Sequence, residues 1–204
     1  MVEGEPMEAI NRNRFFIREH AGLLRAARNL DILDAESGEL LLECREQNLG
    51  RLSRFLRYSN YRGMTPFDIC VQAPAGQPLV RIVRGIPVLK SRVHVYDDED
   101  ELIGGFAQKL FSVSGAFDVW DAQGIDVCQL RGGLTGWNFR FLSLDGVELA
   151  RVTKKWAGIV KELCTSADDY LLEIDETVPA DSTIRRLILA SGLCIDLVLK
   201  VEVP

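Results

Sequence analysis

Four sets of turn-forming residues recur along the middle of this chain at intervals of about 24 residues: Ala73-Pro74-Ala75-Gly76, Asp97-Asp98-Glu99-Asp100, Asp121-Ala122-Gln123-Gly124 and Asp145-Gly146. Each is preceded and followed by alternating apolar residues, as in Phe117-Asp118-Val119-Trp120 before one turn and Ile125-Asp126-Val127-Cys128 after it. Another such turn, Asp34-Ala35-Glu36-Ser37-Gly38, lies between Leu30-Asp31-Ile32-Leu33 and Leu40-Leu41-Leu42-Glu43. Alternation puts every second side chain on one face of a strand. Strands joined by tight turns make an antiparallel meander, which closes into a barrel or sandwich and so removes its exposed edges. The repeat runs without a linker, so residues 15–204 are expected to form one mainly β domain. The polar stretch from Met1 to Arg14 has no apolar run of signal-peptide length and reads as a disordered tail.

The C-terminus departs from this pattern. Asp181 and Ser182 are good N-cap residues, and Thr183 to Cys194 has helical character. From Leu187 to Ile195 the run is apolar or small all round, as expected of a helix buried on every side. Gly192 would let its backbone approach a neighbour. The run is too short for a bilayer span, which takes about 20 apolar residues. Arg185, Arg186 and Asp196 bracket it, and a charge at mid-bilayer costs about 2.5–3.5 kcal/mol. A helix threaded through the barrel avoids that cost. Beyond Asp196, Leu199, Val201 and Val203 alternate with Lys200 and Glu202, which predicts a closing strand.

Charge narrows the function. The net charge of −6 excludes broad electrostatic binding of nucleic acid. It is unevenly spread: Gln47 to Tyr96 holds Arg51, Arg54, Arg57, Arg62, Arg81, Arg84, Lys90 and Arg92 against Asp68 alone. On a short helix Arg51, Arg54 and Tyr58 would share one side, with Leu52, Phe55 and Leu56 on another. Basic, aromatic-rich amphipathic segments bind anionic membrane surfaces, each basic residue contributing about 1 kcal/mol. A solvated helix over one mouth of the barrel is the alternative. Lys154, Lys155 and Trp156 form a second candidate, since Trp and Lys suit a headgroup interface.

Catalytic chemistry finds no support. There is no G-x-S-x-G elbow, P-loop or G-x-G-x-x-G, and the pairs Gly104-Gly105 and Gly132-Gly133 fit strand kinks or bulges. His20 and His94 lack neighbours at metal-ligand spacing. The five cysteines, Cys44, Cys70, Cys128, Cys164 and Cys194, stand far apart and read as reduced, buried thiols of a cytoplasmic protein. The chain reads as non-enzymatic and without a cofactor.

The stretch Val152 to Tyr170, VTKKWAGIVKELCTSADDY, resembles the K-x-W-x-G-x-x-[KR]-E-x-[FC]-T-x-A-D-x-[FY] signature of the phospholipid scramblase family and its LURP-one-related and tubby-like relatives. Leu193-Cys194-Ile195-Asp196 is similar to the end of that family's apolar helix. The segments Tyr96-Asp97 through Phe106 and Phe139 to Ala150 fall where such proteins carry hairpins. The resemblance implies a tubby-like closed antiparallel barrel of about twelve strands around a central C-terminal helix. It also implies either calcium-dependent movement of phospholipids or binding of phosphoinositide headgroups. This sequence departs from scramblases in lacking their proline-rich region and palmitoylated cysteine cluster. Where they have an acidic calcium segment it has Ser166-Ala167-Asp168. Asp168 and Asp169 are its weak calcium candidates; a twelve-residue loop from Ser166 lacks most of the required oxygen ligands, and both aspartates suit a turn instead. The favoured expectation is a peripheral module at the inner membrane face that reads anionic phospholipid headgroups with Arg51, Arg54, Arg57, Arg62, Lys154, Lys155 and Trp156. Lipid scrambling, or a protein-interaction barrel without a lipid role, are the alternatives.

Overall fold

A computed structural model describes residues 6–19, 29–47, 66–85, 92–108, 116–133, 137–154 and 169–199. After a helical turn, α1 (Pro6–Ala9), come twelve strands: β1 (Arg14–Glu19), β2 (Leu30–Asp34), β3 (Leu40–Glu46), β4 (Phe67–Gln72), β5 (Pro78–Arg84), β6 (Arg92–Tyr96), β7 (Leu102–Gln108), β8 (Phe117–Asp121), β9 (Asp126–Gly133), β10 (Asn138–Ser143), β11 (Glu148–Thr153) and β12 (Tyr170–Ile174). A single long helix, α2 (Thr183–Leu199), follows. Every strand pairs antiparallel with its neighbours in sequence, and β1 closes the barrel on β12 with Phe15 opposite Leu172 and Ile17 opposite Tyr170.

The expected turns form. Gly76, Asp100, Gly124 and Gly146 donate their N–H groups to the carbonyls of Ala73, Asp97, Asp121 and Ser143 at 2.8–3.2 Å. All four have positive φ, from 65° to 94°. Glycine adopts this left-handed region without cost and aspartate tolerates it, which is why these residues recur at one place in each turn. A register shift next to each turn adds local twist. The glycine pairs divide. Gly104 sits beside the shift between β6 and β7, whereas Gly132 lies in regular register with Phe139. A Cβ on Gly132 would come within 2.7 Å of the Phe139 Cα, so this glycine serves close approach and not a bulge.

Alternation sends Phe15, Ile17, Val93, Val95, Phe117, Val119, Phe139 and Phe141 into one core with Leu187, Ile188, Leu189, Ala190, Leu193, Cys194 and Ile195 of α2. From Leu187 to Ile195 the helix is buried all round, as its composition requires. Ser182 is the N-cap: its Oγ accepts from the Arg185 N–H at 3.4 Å. Ser191 is accommodated by donating its hydroxyl to the Leu187 carbonyl at 2.6 Å. A Cβ on Gly192 would meet Leu172 at 3.4 Å, an ordinary contact, so close approach does not demand glycine there.

Two expectations are corrected. The helix continues through Leu199, so a closing strand does not begin after Asp196; β12 completes the barrel instead. Residues 200–204 lie outside the described residues. The polar segment before β1, expected to be a tail, carries α1 and buries Ile10 to 1 % exposure. Arg185 explains this. The residue is 2 % exposed, and its guanidinium donates to the carbonyls of Ile10, Val178 and Arg12 and to Asn13 Oδ1. A cation in the first turn of a helix opposes the macrodipole. Here the four oxygens offset that cost and tie residues 10–13 over the mouth where α2 enters.

Candidate functional site

The up-and-down topology sorts the connections between strands into two sets, one at each end of the barrel. At the end where α2 enters lie residues 35–39, 73–77, 97–101, 122–125, 144–147 and 175–182. Together they contain eleven Asp and Glu and no Lys or Arg. The sequence joining strands at the other end comprises residues 20–29, 47–66, 85–91, 109–116, 134–137 and 154–169. It contains eleven Lys and Arg against Glu162, Asp168 and Asp169. The connecting sequences of the two sets therefore differ in the sign of their charge, although of the basic set only Lys154 falls among the described residues. A field of one sign over a surface attracts partners of the other.

Of the predicted headgroup residues, Arg51, Arg54, Arg57, Arg62, Lys155 and Trp156 lie outside the described residues, as does Asp168. Lys154 is described. It leaves β11 at the basic end, and its Nζ stands 4.1 Å from the centre of the Trp137 ring, close enough for a cation–π contact. Trp137 also packs 5.6 Å from Tyr170 and 5.7 Å, edge to face, from Phe139. Its φ of 43° is rare for a bulky residue. This half-buried aromatic group with a lysine above it was not singled out from the sequence; a tryptophan after a glycine run carries no periodic signal.

The same end holds a second unanticipated feature. Arg84, at the end of β5, lies on the inward face in register with Ile82 and is 2 % exposed. Its guanidinium carbon is 4.6 Å from the Phe67 ring centre. Arg81 points outward and forms a two-pronged bond to Asp68 at 2.8 and 2.9 Å, with Asp100 at 3.0 Å. Those hydrogen bonds, chiefly to Asp68, hold its proton more tightly than usual. Arg84 is buried and Arg81 is engaged by two carboxylates, whereas Arg92, at the start of β6, is exposed with its guanidinium carbon 5.7 Å from the Trp120 ring centre.

The remaining chemistry is structural. Asp169 is fully buried, and its Oδ1 accepts the Glu19 N–H at 3.3 Å, bracing β1 at its end. Among the described residues no group of three His, Cys, Asp or Glu is arranged to hold a metal ion. Half-buried His94 stands edge-on to Trp120 at 5.4 Å; burial and then Arg92 lower its pKa. Cys44, Cys70, Cys128 and Cys194 are buried free thiols. Burial pushes Cys128 up to about 12 and Cys44 well above its ordinary value, which disfavours the nucleophilic thiolate.

A closed twelve-strand barrel filled by its own apolar helix, with no described helix long and apolar enough to cross a membrane, defines a class of helix-centred barrels. The Scramblase family model matches residues 29–199. The chain belongs to the scramblase family. No curated protein and no solved structure matches it.

Proposed function

We propose that this chain is a binding module, not an enzyme, which docks its basic end on anionic phospholipid headgroups. The reading is supported by the opposite charge of the sequences that connect the strands at the two ends of the barrel. A bilayer with anionic lipids attracts the basic end, with each Lys or Arg near the surface contributing about 1 kcal/mol. It repels the other end, so the charge split also sets orientation. Arg51, Arg54, Arg57 and Arg62 supply most of the attraction. Lys154, next to Lys155 and Trp156 in sequence, forms with Trp137 a tryptophan and lysine pairing suited to the headgroup layer.

The family match favours a second reading, that the protein moves lipids between leaflets. That reading needs a polar path across the bilayer, and α2 is already committed to the barrel core. The two readings separate in sealed vesicles. Reversing the charge of Arg54 and Arg57 together should weaken binding to anionic vesicles by about thirtyfold or more, the equivalent of about 2 kcal/mol. Lipid exchange between leaflets should stay at its protein-free rate. Unchanged affinity would overturn the headgroup reading, and accelerated exchange would establish scrambling.

A further inference from the structure

The acidic end carries a feature for which lipid binding has no use. Ile125, Leu144 and Val147 are 63, 60 and 59 % exposed, the large apolar side chains that stand furthest into solvent among the described residues. Single exposed hydrophobes are ordinary. These three are grouped: β9 and β10 pair with Ser143 opposite Cys128, which sets the β8–β9 turn beside the β10–β11 turn.

Turn geometry does not account for them. Ile125 and Val147 hold the same place in their turns. Each accepts the N–H of the first turn residue at its carbonyl, from Asp121 at 2.9 Å and from Ser143 at 2.8 Å. Each donates its own N–H to that residue's side chain, Asp121 Oδ1 at 2.9 Å and Ser143 Oγ at 3.1 Å. The residues accepting the equivalent backbone bond in the turns before them are Gln77 and Glu101. The position is built equally well with a polar side chain, and the apolar choice is confined to one sector of the rim.

That sector is also anionic. Glu148 is engaged by Arg151 at 2.9 Å and the Asp121 carboxylate by its turn. Asp126 and Asp145 are exposed and form no ion pair with a described residue. A surface with apolar side chains between carboxylates, on a rim without a single Lys or Arg in its connections, is complementary to cations flanking apolar groups. It repels anionic lipid.

We propose that Ile125, Leu144 and Val147, with Asp126 and Asp145, form a docking surface for a cationic protein segment that presents apolar side chains. The surface is at the opposite end from the headgroup-binding connections, so the proposal does not rest on the membrane reading. Each can fail alone.

The test is titration of the full chain with a short labelled peptide alternating Leu and Lys, followed by fluorescence anisotropy and backbone NMR. Peptides alternating Leu with Glu, and Ser with Lys, are the comparisons. Saturable binding of the Leu-Lys peptide is expected, with shifts centred on residues 121–126 and 143–148. The triple variant I125S/L144S/V147S should lose about tenfold or more in affinity. D126N/D145N should bind more weakly and with less dependence on salt. Binding of anionic vesicles should match the unaltered chain in the triple variant, which leaves the charge as it is. Absence of saturable binding, equal affinity for the Leu-Glu peptide, an unaffected triple variant or shifts elsewhere would each overturn the proposal. So would loss of vesicle binding in the triple variant, which would place the three side chains in a bilayer.

Discussion

Arg185 Nε donates to the Ile10 carbonyl at 2.7 Å, joining the start of the central helix to the segment that precedes the first strand. With Val178, Arg12 and Asn13 as its other acceptors, this guanidinium plugs one mouth of the barrel with a fully engaged charge. Removing it orphans several buried acceptors, each worth about 1–3 kcal/mol. R185A should lose about 3 kcal/mol or more in urea unfolding, and R185K should fall between, since lysine lacks the planar fork. Deleting residues 1–13 should also destabilise the barrel, because it leaves Arg185 without three of its acceptors. A truncated chain as stable as the full one would contradict this account.

Two glycines should respond in opposite directions. A Cβ on Gly105 would lie 2.1 Å from the Val93 carbonyl oxygen and 2.4 Å from the Trp120 ring, which lies across this glycine. G105A should cost about 2 kcal/mol or more. At Gly192 the added methyl meets Leu172 at ordinary contact distance. Alanine also favours the helix by up to about 1 kcal/mol, so G192A should be neutral or stabilising. Thermal melts of the pair provide the comparison.

Asp34 gives a pH signature. Burial pushes its carboxyl up, but the N–H groups of Ser37 and Glu36, with Arg12 beside it, hold it below the ordinary value. A carboxylate with a lowered folded pKa contributes stability above its unfolded value, and that stability is lost as pH falls through the folded one. D34A should therefore be less stable than the unaltered chain by about 2 kcal/mol at neutral pH. The gap should narrow below about pH 4. D34N, which keeps the acceptor oxygen, should show a smaller deficit at neutral pH. A gap for D34A that stays constant down to low pH would contradict the assignment.

The thiols of Cys44, Cys70, Cys128 and Cys194 should resist alkylation in the folded protein at mildly alkaline pH and react at once in denaturant. Mass mapping of the modified peptides reads this directly. Rapid native-state labelling of Cys44 or Cys128 would contradict their burial.

Much of the fold was legible because its signals are local. The turns announced themselves through glycine or aspartate at one place in each, and the helix through a run apolar on every side. The misread parts depend on distant partners. Nothing near Ile10 in sequence shows that Arg185 will hold it, and three alternating apolar residues at the C-terminus were too few to distinguish a strand from the helix that runs through Leu199. The site was legible only in outline. Lys90 and Asp97 are close in the chain, yet β6 carries the chain from one end of the barrel to the other between them. Arg57 and Lys161 are far apart, yet each falls in a stretch of sequence, 47–66 and 154–169, whose flanking strands end on the same side of the barrel. Charge that looks like a loose block in sequence becomes a division between ends only when the strand order is known.

Co-sedimentation of the full chain with neutral and anionic vesicles, at low and moderate salt, tests the central claim most directly. The charge separation predicts binding to anionic vesicles alone, falling as salt rises and screens the basic end. Equal binding to neutral vesicles, or binding insensitive to salt, would contradict it. So would a chain that stays in the supernatant with every vesicle at low salt.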